Sequence, residues 1–115
     1  MIVRKRALEP IDFDGLRIFD YTADHDLGSS LAHIDVPPSG RHPKAWSRRS
    51  DKYYLVTDGQ IRFNVDDVIV DCKAGDFCFV KQGSVFGYEN VSGEPASVAL
   101  FHTPAFDLDA EVFVD

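Results

Sequence analysis

Nowhere along this chain do apolar residues keep a helical period for three turns. They fall instead in short runs rich in Val, Ile, Phe and Tyr, cut by turn residues every few positions. The pattern predicts an all-β protein with strands at Gly15 to Tyr21, Ser30 to Val36, Lys52 to Thr57, Gln60 to Val65, Val68 to Cys72, Asp76 to Val80, Val85 to Asn90 and Ala96 to His102. Asp58-Gly59, between two apolar runs, is the strongest hairpin signal, because Gly takes positive φ without steric cost; Asp66-Asp67 and Lys73-Ala74-Gly75 are weaker turns. Many short strands at close spacing suit a sandwich or barrel, which buries one face and limits exposed edges. Met1 to Arg6 is a candidate edge strand. Phe106 to Asp115 mixes acidic and apolar residues and fits a strand, a turn of helix or a dimer contact.

With 115 residues the chain has the size of one domain, residues 1–115, and needs no staple to build a core. Cys72 and Cys78 match no metal or redox spacing and read as small buried apolar side chains. Nineteen acidic against twelve basic residues give a net charge of -7, which disfavours a nucleic-acid partner. No apolar run is long enough to span a bilayer, and no signal-peptide core follows Arg4-Lys5-Arg6, so a cytoplasmic protein without a membrane partner is expected. Exposed edges and the apolar tail Val112 to Val114 suggest a homodimer.

Glycines and one asparagine then form a frame. Gly40 is followed by Trp46, Arg48, Lys52 and Gly59, and Gly75 by Lys81, Gly83, Phe86 and Asn90. With the runs Lys52-Tyr-Tyr-Leu-Val-Thr-Asp-Gly, Ala74-Gly-Asp-Phe-Cys-Phe-Val and Leu100-Phe-His-Thr-Pro, this spacing resembles the two motifs of the cupin superfamily over residues 31–104. The resemblance implies a double-stranded β-helix, a jelly-roll barrel. In that family three histidines and a glutamate in the frame hold a metal; here those slots carry Trp46, Arg48, Lys52 and Phe86. Trp and Phe offer no usable lone pair, Arg stays protonated, and Lys coordinates only after a large pKa depression. No metal and no other cofactor is therefore expected there, and the family's oxidative chemistry falls with the ligands.

Residues two apart on a strand share a face, so an inward Lys52 brings Tyr54 with it and an inward Phe86 brings Tyr88 and Asn90. The resemblance thus implies a barrel interior with Trp46, Tyr54, Phe86 and Tyr88 as aromatic walls and Arg48, Lys52, Asn90 and His102 as polar points. Such a lining suits a small organic ligand, polar or, given two cations, anionic. Duller roles exist for each: Arg48 solvated in a loop, the aromatics filling a collapsed barrel. His33 shares a face with Leu31 and Asp35 and is open to three roles: core residue, surface residue, or general base oriented by Asp35. A shifted metal site of His33, His42 and His102 has no spacing signature. The leading expectation is a metal-free small-molecule binding protein. Its rivals are a metal-independent isomerase or lyase with a histidine base and Tyr54 or Tyr88 as acid, and a non-catalytic dimeric protein with a filled barrel.

Overall fold

Residues with alternating apolar side chains pair into strands whose buried faces meet, and the eight predicted strands form with bounds within one residue of expectation. The computed structural model describes residues 1–114. In chain order the strands are β1 (Ile11–Phe13), β2 (Leu16–Asp20), β3 (Ser30–Val36), β4 (Arg41–Ser47), β5 (Asp51–Asp58), β6 (Gln60–Val65), β7 (Val68–Lys73), β8 (Phe77–Val80), β9 (Phe86–Glu89), β10 (Ala96–Thr103) and β11 (Glu111–Phe113). They make two antiparallel sheets, one ordered β1-β2-β3-β10-β5-β8 and the other β11-β4-β9-β6-β7. The fold is an all-β jelly roll. No helix among the described residues is long and apolar enough to cross a membrane.

Two strands, β1 and β4, escape sequence reading, and β11 falls in the segment Phe106 to Asp115 that fits a strand among other forms. β4 has the sequence RHPKAWS, with three basic or imidazole side chains and a proline, and reads as a loop. It survives because its pairing with β9 is interrupted between His42 and Ala45, a bulge that accommodates the donorless Pro43. β1 and β11 have only three residues each and gain stability from the neighbours they pair with, β2 and β4. Met1 to Arg6 forms no strand; Lys5–Ala7 is instead a 3-10 turn.

The turn assignments also change. Asp58-Gly59 is not a hairpin: β5 pairs with β8 and β10, whereas β6 pairs with β7 and β9, so this turn carries the chain from one sheet to the other. Gly59 has φ +71, and a Cβ there would lie 2.6 Å from the carbonyl oxygen of Pro95, so the corner needs glycine for both conformation and space. The tight hairpin is Asp66-Asp67 between β6 and β7, where both aspartates have positive φ, as a two-residue turn of the primed type requires. Asp66 is held there because its carboxylate accepts from the Val85 N–H.

The core lies between the sheets. Val56, Ile61, Phe63, Val80 and Val98 are at most 1% exposed and pack one end solid. Cys72 belongs to this cluster, and Cys78 packs against it. Toward the other end the inward side chains are longer and polar, and the packing opens.

Candidate functional site

At that end lies a cavity of about 240 Å³, walled by β1, β2, β3, β4, β5, β9, β10 and the segment from Phe106 to Phe113. The barrel is therefore not filled. Apolar side chains such as Phe13, Ile18, Leu100, Phe106 and Phe113 make most of the wall. The polar groups are few: Asp20, Ser30, His42, Lys52, Tyr54, Tyr88, His102 and Glu111.

Lys52, Tyr54, Tyr88 and His102 thus lie on the cavity, as the resemblance combined with strand alternation implies. Trp46, Arg48, His33, Phe86 and Asn90 do not. Trp46 is half-buried on the outer side of β4, opposite Val112 of β11, and Arg48 is exposed with its guanidinium 5.8 Å from the Trp46 ring. The side chains that point inward here are their neighbours Ala45 and Ser47, 0% and 3% exposed. The family frame therefore takes four residues, not three, between its second histidine slot and Lys52, and the spacing after Gly40 shortens by one. Ala45, Ser47, Lys52 and Phe86 still offer no donor set for a transition metal. Among the described residues no three His, Cys, Asp or Glu side chains cluster as metal ligands.

Asn90 is buried, but its amide is spent on structure: Nδ2 donates to the carbonyls of Val36 and Glu94, and Oδ1 accepts from the N–H and hydroxyl of Ser92. Phe86 is 1% exposed behind the cavity, its ring 5.0 Å from that of His42. His33 projects from the outer face of its sheet, where Nε2 bonds the Thr57 hydroxyl at 3.2 Å and Nδ1 lies 3.8 Å from Asp35. Desolvation and Lys5 lower its pKa, against Asp35. It is separated from the cavity that His42 and His102 line, so the three histidines do not come together.

Of the polar cavity residues outside the sequence-derived pocket set, Asp20, Ser30, His42 and Glu111, two bear on the chemistry: His42, weighed above only for a shifted metal site, and Glu111. His42 lies directly across from Tyr88 in the β4–β9 register, a pairing invisible while β4 reads as a loop. Its ring stands in an aromatic box, 5.3 Å from Phe13, 5.4 Å from Tyr88 and 6.2 Å from Phe113. Nδ1 is 2.7 Å from the Pro43 carbonyl oxygen, which can only accept, so the proton sits on Nδ1 and Nε2 keeps a lone pair. Burial is the main cause that pushes the pKa down to about 4; the Pro43 bond raises it and Lys52 lowers it. His42 is thus a neutral, tautomer-fixed acceptor. The Tyr88 hydroxyl beside it is buried without a hydrogen-bond partner. Burial raises the pKa of both Tyr88 and Tyr54, so both phenols keep their protons.

Glu111 is the second omission, an acid placed by the short strand β11. Its carboxylate accepts from Lys52 Nζ at 2.5 Å, and their side chains are 3% and 6% exposed. Lys52 Nζ also lies 2.8 Å from His102 Nε2; an ammonium only donates, so Nε2 accepts and the His102 proton rests on Nδ1. Desolvation and then Lys52 push the His102 pKa down to about 3. For Lys52 desolvation lowers the pKa while Glu111 raises it, leaving it below its ordinary value. Among the described residues Lys52 is the only Lys or Arg on the cavity wall, and Glu111 offsets it; Asp20, whose carboxylate accepts from the Thr22 N–H and hydroxyl, also lines the cavity.

A family model described as "Cupin domain" matches residues 32–102. No curated protein matches the sequence. Among solved structures, Pac13 of Streptomyces, described as a nucleoside dehydratase, is 20% identical with a TM-score of 0.86, covering 99% of this chain and 90% of its own. Variants of that protein with a histidine changed to glutamine or a tyrosine to phenylalanine are solved with uridine. A predicted oxalate decarboxylase of Thermotoga maritima is 18% identical, with a TM-score of 0.83, 90% of this chain and 99% of that one covered. KdgF of a Halomonas species is 12% identical, with a TM-score of 0.80 and coverage of 90% and 93%. With more than half of its length matched by the family model and these structural neighbours around it, the chain belongs to the cupin family.

Proposed function

We propose that this cupin is a metal-independent acid–base enzyme of the lyase kind, which removes water from a small, uncharged molecule of the nucleoside class that carries a carbonyl beside the carbon losing its proton and a hydroxyl on the next carbon, with uridine as its binding probe. The observation that carries the reading is the pairing of His42, its tautomer fixed by Pro43, with the orphan hydroxyl of Tyr88 on one apolar cavity. A buried hydroxyl without a partner is costly in the free protein, and a ligand oxygen would satisfy it. The residue types replaced in the uridine-bound structures of Pac13, one histidine and two tyrosines, are the types gathered here as His42, Tyr54 and Tyr88. An anionic ligand is disfavoured, because Arg48 stands outside and Lys52 is already paired with Glu111.

The chemistry follows from the proton positions. His42 Nε2 accepts a proton from a carbon acidified by a neighbouring carbonyl, and the electron pair forms the double bond as the hydroxyl on the next carbon departs. An imidazolium whose pKa is about 4 is a strong proton donor and hands that proton to the leaving oxygen, so water is lost and the histidine regenerated. Tyr88, with its phenol pKa raised, serves as a hydrogen-bond donor and not as an acid. The apolar wall excludes water and strengthens these contacts.

The test is a thermal-shift and calorimetric titration with uridine, benzoate and glucuronate on wild type, His42→Gln and Tyr88→Phe. Uridine is expected to raise the melting temperature of wild type, with weaker binding in Tyr88→Phe. Binding of the carboxylates in preference to uridine, or binding unchanged in both variants, overturns the proposal.

A further inference from the structure

Lys52 and Glu111 hold each other on the cavity wall without using up what they can bond. An ammonium carries three protons and accepts nothing. Glu111 Oε1 takes one of them at 2.5 Å and His102 Nε2 another at 2.8 Å. The third has no acceptor among the described residues. The carboxylate is half spent in the same way: Oε1 takes the lysine, and Oε2 has no donor among the described residues. Because the two oxygens share one carbon, the free N–H and the free oxygen stand side by side, and both residues line the cavity. Together they present one donor next to one acceptor, with their charges balanced. Around them the wall is aromatic. The rings of Phe86 and Phe106 lie 5.3 and 5.7 Å from Lys52 Nζ. Phe106 is anchored by its backbone N–H, which donates to the Ser30 hydroxyl. The His42 ring is 5.0 Å from the same Phe86 ring, so Lys52 and His42 share that wall and one small molecule reaches both.

We infer that Lys52 and Glu111 form the subsite that selects the heterocycle of the ligand, taking a planar lactam edge: an unsubstituted ring N–H beside a ring carbonyl, as uracil presents at N3. This assignment rests on the proposed elimination, in which a departing hydroxyl at His42 and Tyr88 places the sugar there and leaves the base for the other polar pair. The ring N–H donates to Glu111 Oε2, and the neighbouring carbonyl accepts from Lys52 Nζ. Both are hydrogen bonds to charged groups, stronger than neutral ones. A planar ring also gains from packing against the Phe106 side chain, since every base has a π-face. The pair excludes as well as selects. A carboxylate or phosphate sets oxygen against Oε2, and a ring without that proton leaves a buried carboxylate oxygen facing a ligand that cannot donate to it.

The experiment is calorimetry and ligand-observed NMR, at up to millimolar ligand, on wild type, Glu111→Gln and Tyr88→Phe. The ligands are uridine, 1-methyluracil and three that lack the N3 proton: 3-methyluridine, 1,3-dimethyluracil and the smaller pyrimidin-2-one riboside. Wild type is expected to bind uridine on the order of 10- to 100-fold more tightly than either riboside without the proton, the range for a hydrogen bond to a charged group, and to bind 1-methyluracil but not its dimethyl form. In Glu111→Gln the amide oxygen takes over Lys52 and the amide nitrogen turns a donor toward the ligand. Uridine should weaken by about tenfold or more, and pyrimidin-2-one riboside, whose N3 is a bare acceptor, should now bind better than uridine. A change of packing alone does not reverse a preference. Should this variant fail to fold, the wild-type series decides. Equal affinity of wild type for uridine and pyrimidin-2-one riboside, with uridine still weakened in Tyr88→Phe, overturns the subsite and leaves the elimination standing. So does a preference that follows the ribose hydroxyls, read with 2′,3′-dideoxyuridine, instead of N3. Binding of 1-methyluracil but not its dimethyl form, with uridine affinity unchanged in Tyr88→Phe and His42→Gln, keeps the subsite and overturns the elimination. No binding of any of these ligands overturns both.

Discussion

Lys52 and Glu111, 59 positions apart, meet inside the barrel as a buried ion pair, with Lys52 Nζ also donating to His102. The ammonium is flanked by the rings of Phe86 and Phe106, 5.3 and 5.7 Å away. The pair fastens the C-terminal strand β11 over the cavity. A lysine held this way has a structural task whatever the ligand, and removing it strands a carboxylate in an apolar wall.

Lys52→Met should therefore destabilise the protein at pH 7 by about 3 kcal/mol, the usual cost of breaking a buried pair from one side. The double variant Lys52→Met with Glu111→Leu should recover most of that loss. Urea denaturation of the three proteins checks it, and a Lys52→Met protein as stable as wild type would refute the pairing argument.

Tyr88→Phe removes a buried hydroxyl that has no partner. Stability should stay the same or rise by up to about 1 kcal/mol, because no hydrogen bond is lost and a desolvation penalty disappears. If the proposed function holds, uridine affinity should fall at least tenfold in the same variant. Opposite signs for stability and binding are the outcome to look for, by chemical denaturation and calorimetry on the same preparations.

Stability should fall on acidification below pH 6.5. His42 and His102, held by burial at about 4 and about 3 against an ordinary 6.5, stay neutral in the folded chain while the unfolded chain takes up protons. The unfolded state thus binds more protons in this window, so the free energy of unfolding drops as pH falls, by on the order of 3 kcal/mol from each histidine between pH 7 and pH 4. His42→Gln should reduce the slope. Under the proposed mechanism the acid limb of turnover should lie near pH 4, and a limb near 6.5 would contradict the buried, neutral assignment.

Asn90→Ala should cost about 2 kcal/mol, since the buried carbonyl of Val36, the carbonyl of Glu94 and the Ser92 turn lose their partner. Uridine affinity per folded molecule should not change. A loss of binding with intact stability would return Asn90 to the cavity lining.

The all-β class and eight strand positions were legible in the sequence because strand alternation is local and its period of two survives any arrangement of sheets; alternation also grouped Lys52 with Tyr54 and Phe86 with Tyr88, and the family resemblance implied which face turns inward. Sheet partnership was not legible. Asp58-Gly59 has the chemistry of a hairpin, but a turn is chosen locally while the partner of each strand is chosen by packing; here Pro95 and Ala96 press on Gly59 and the chain crosses between layers. Only the tertiary structure placed β4 as a strand, rotated Trp46 and Arg48 outward through the bulge at Pro43, and brought His42 opposite Tyr88. It alone joined Lys52 to Glu111, because a pair separated by 59 positions leaves no periodic signal and exists only where β11 folds back on β4.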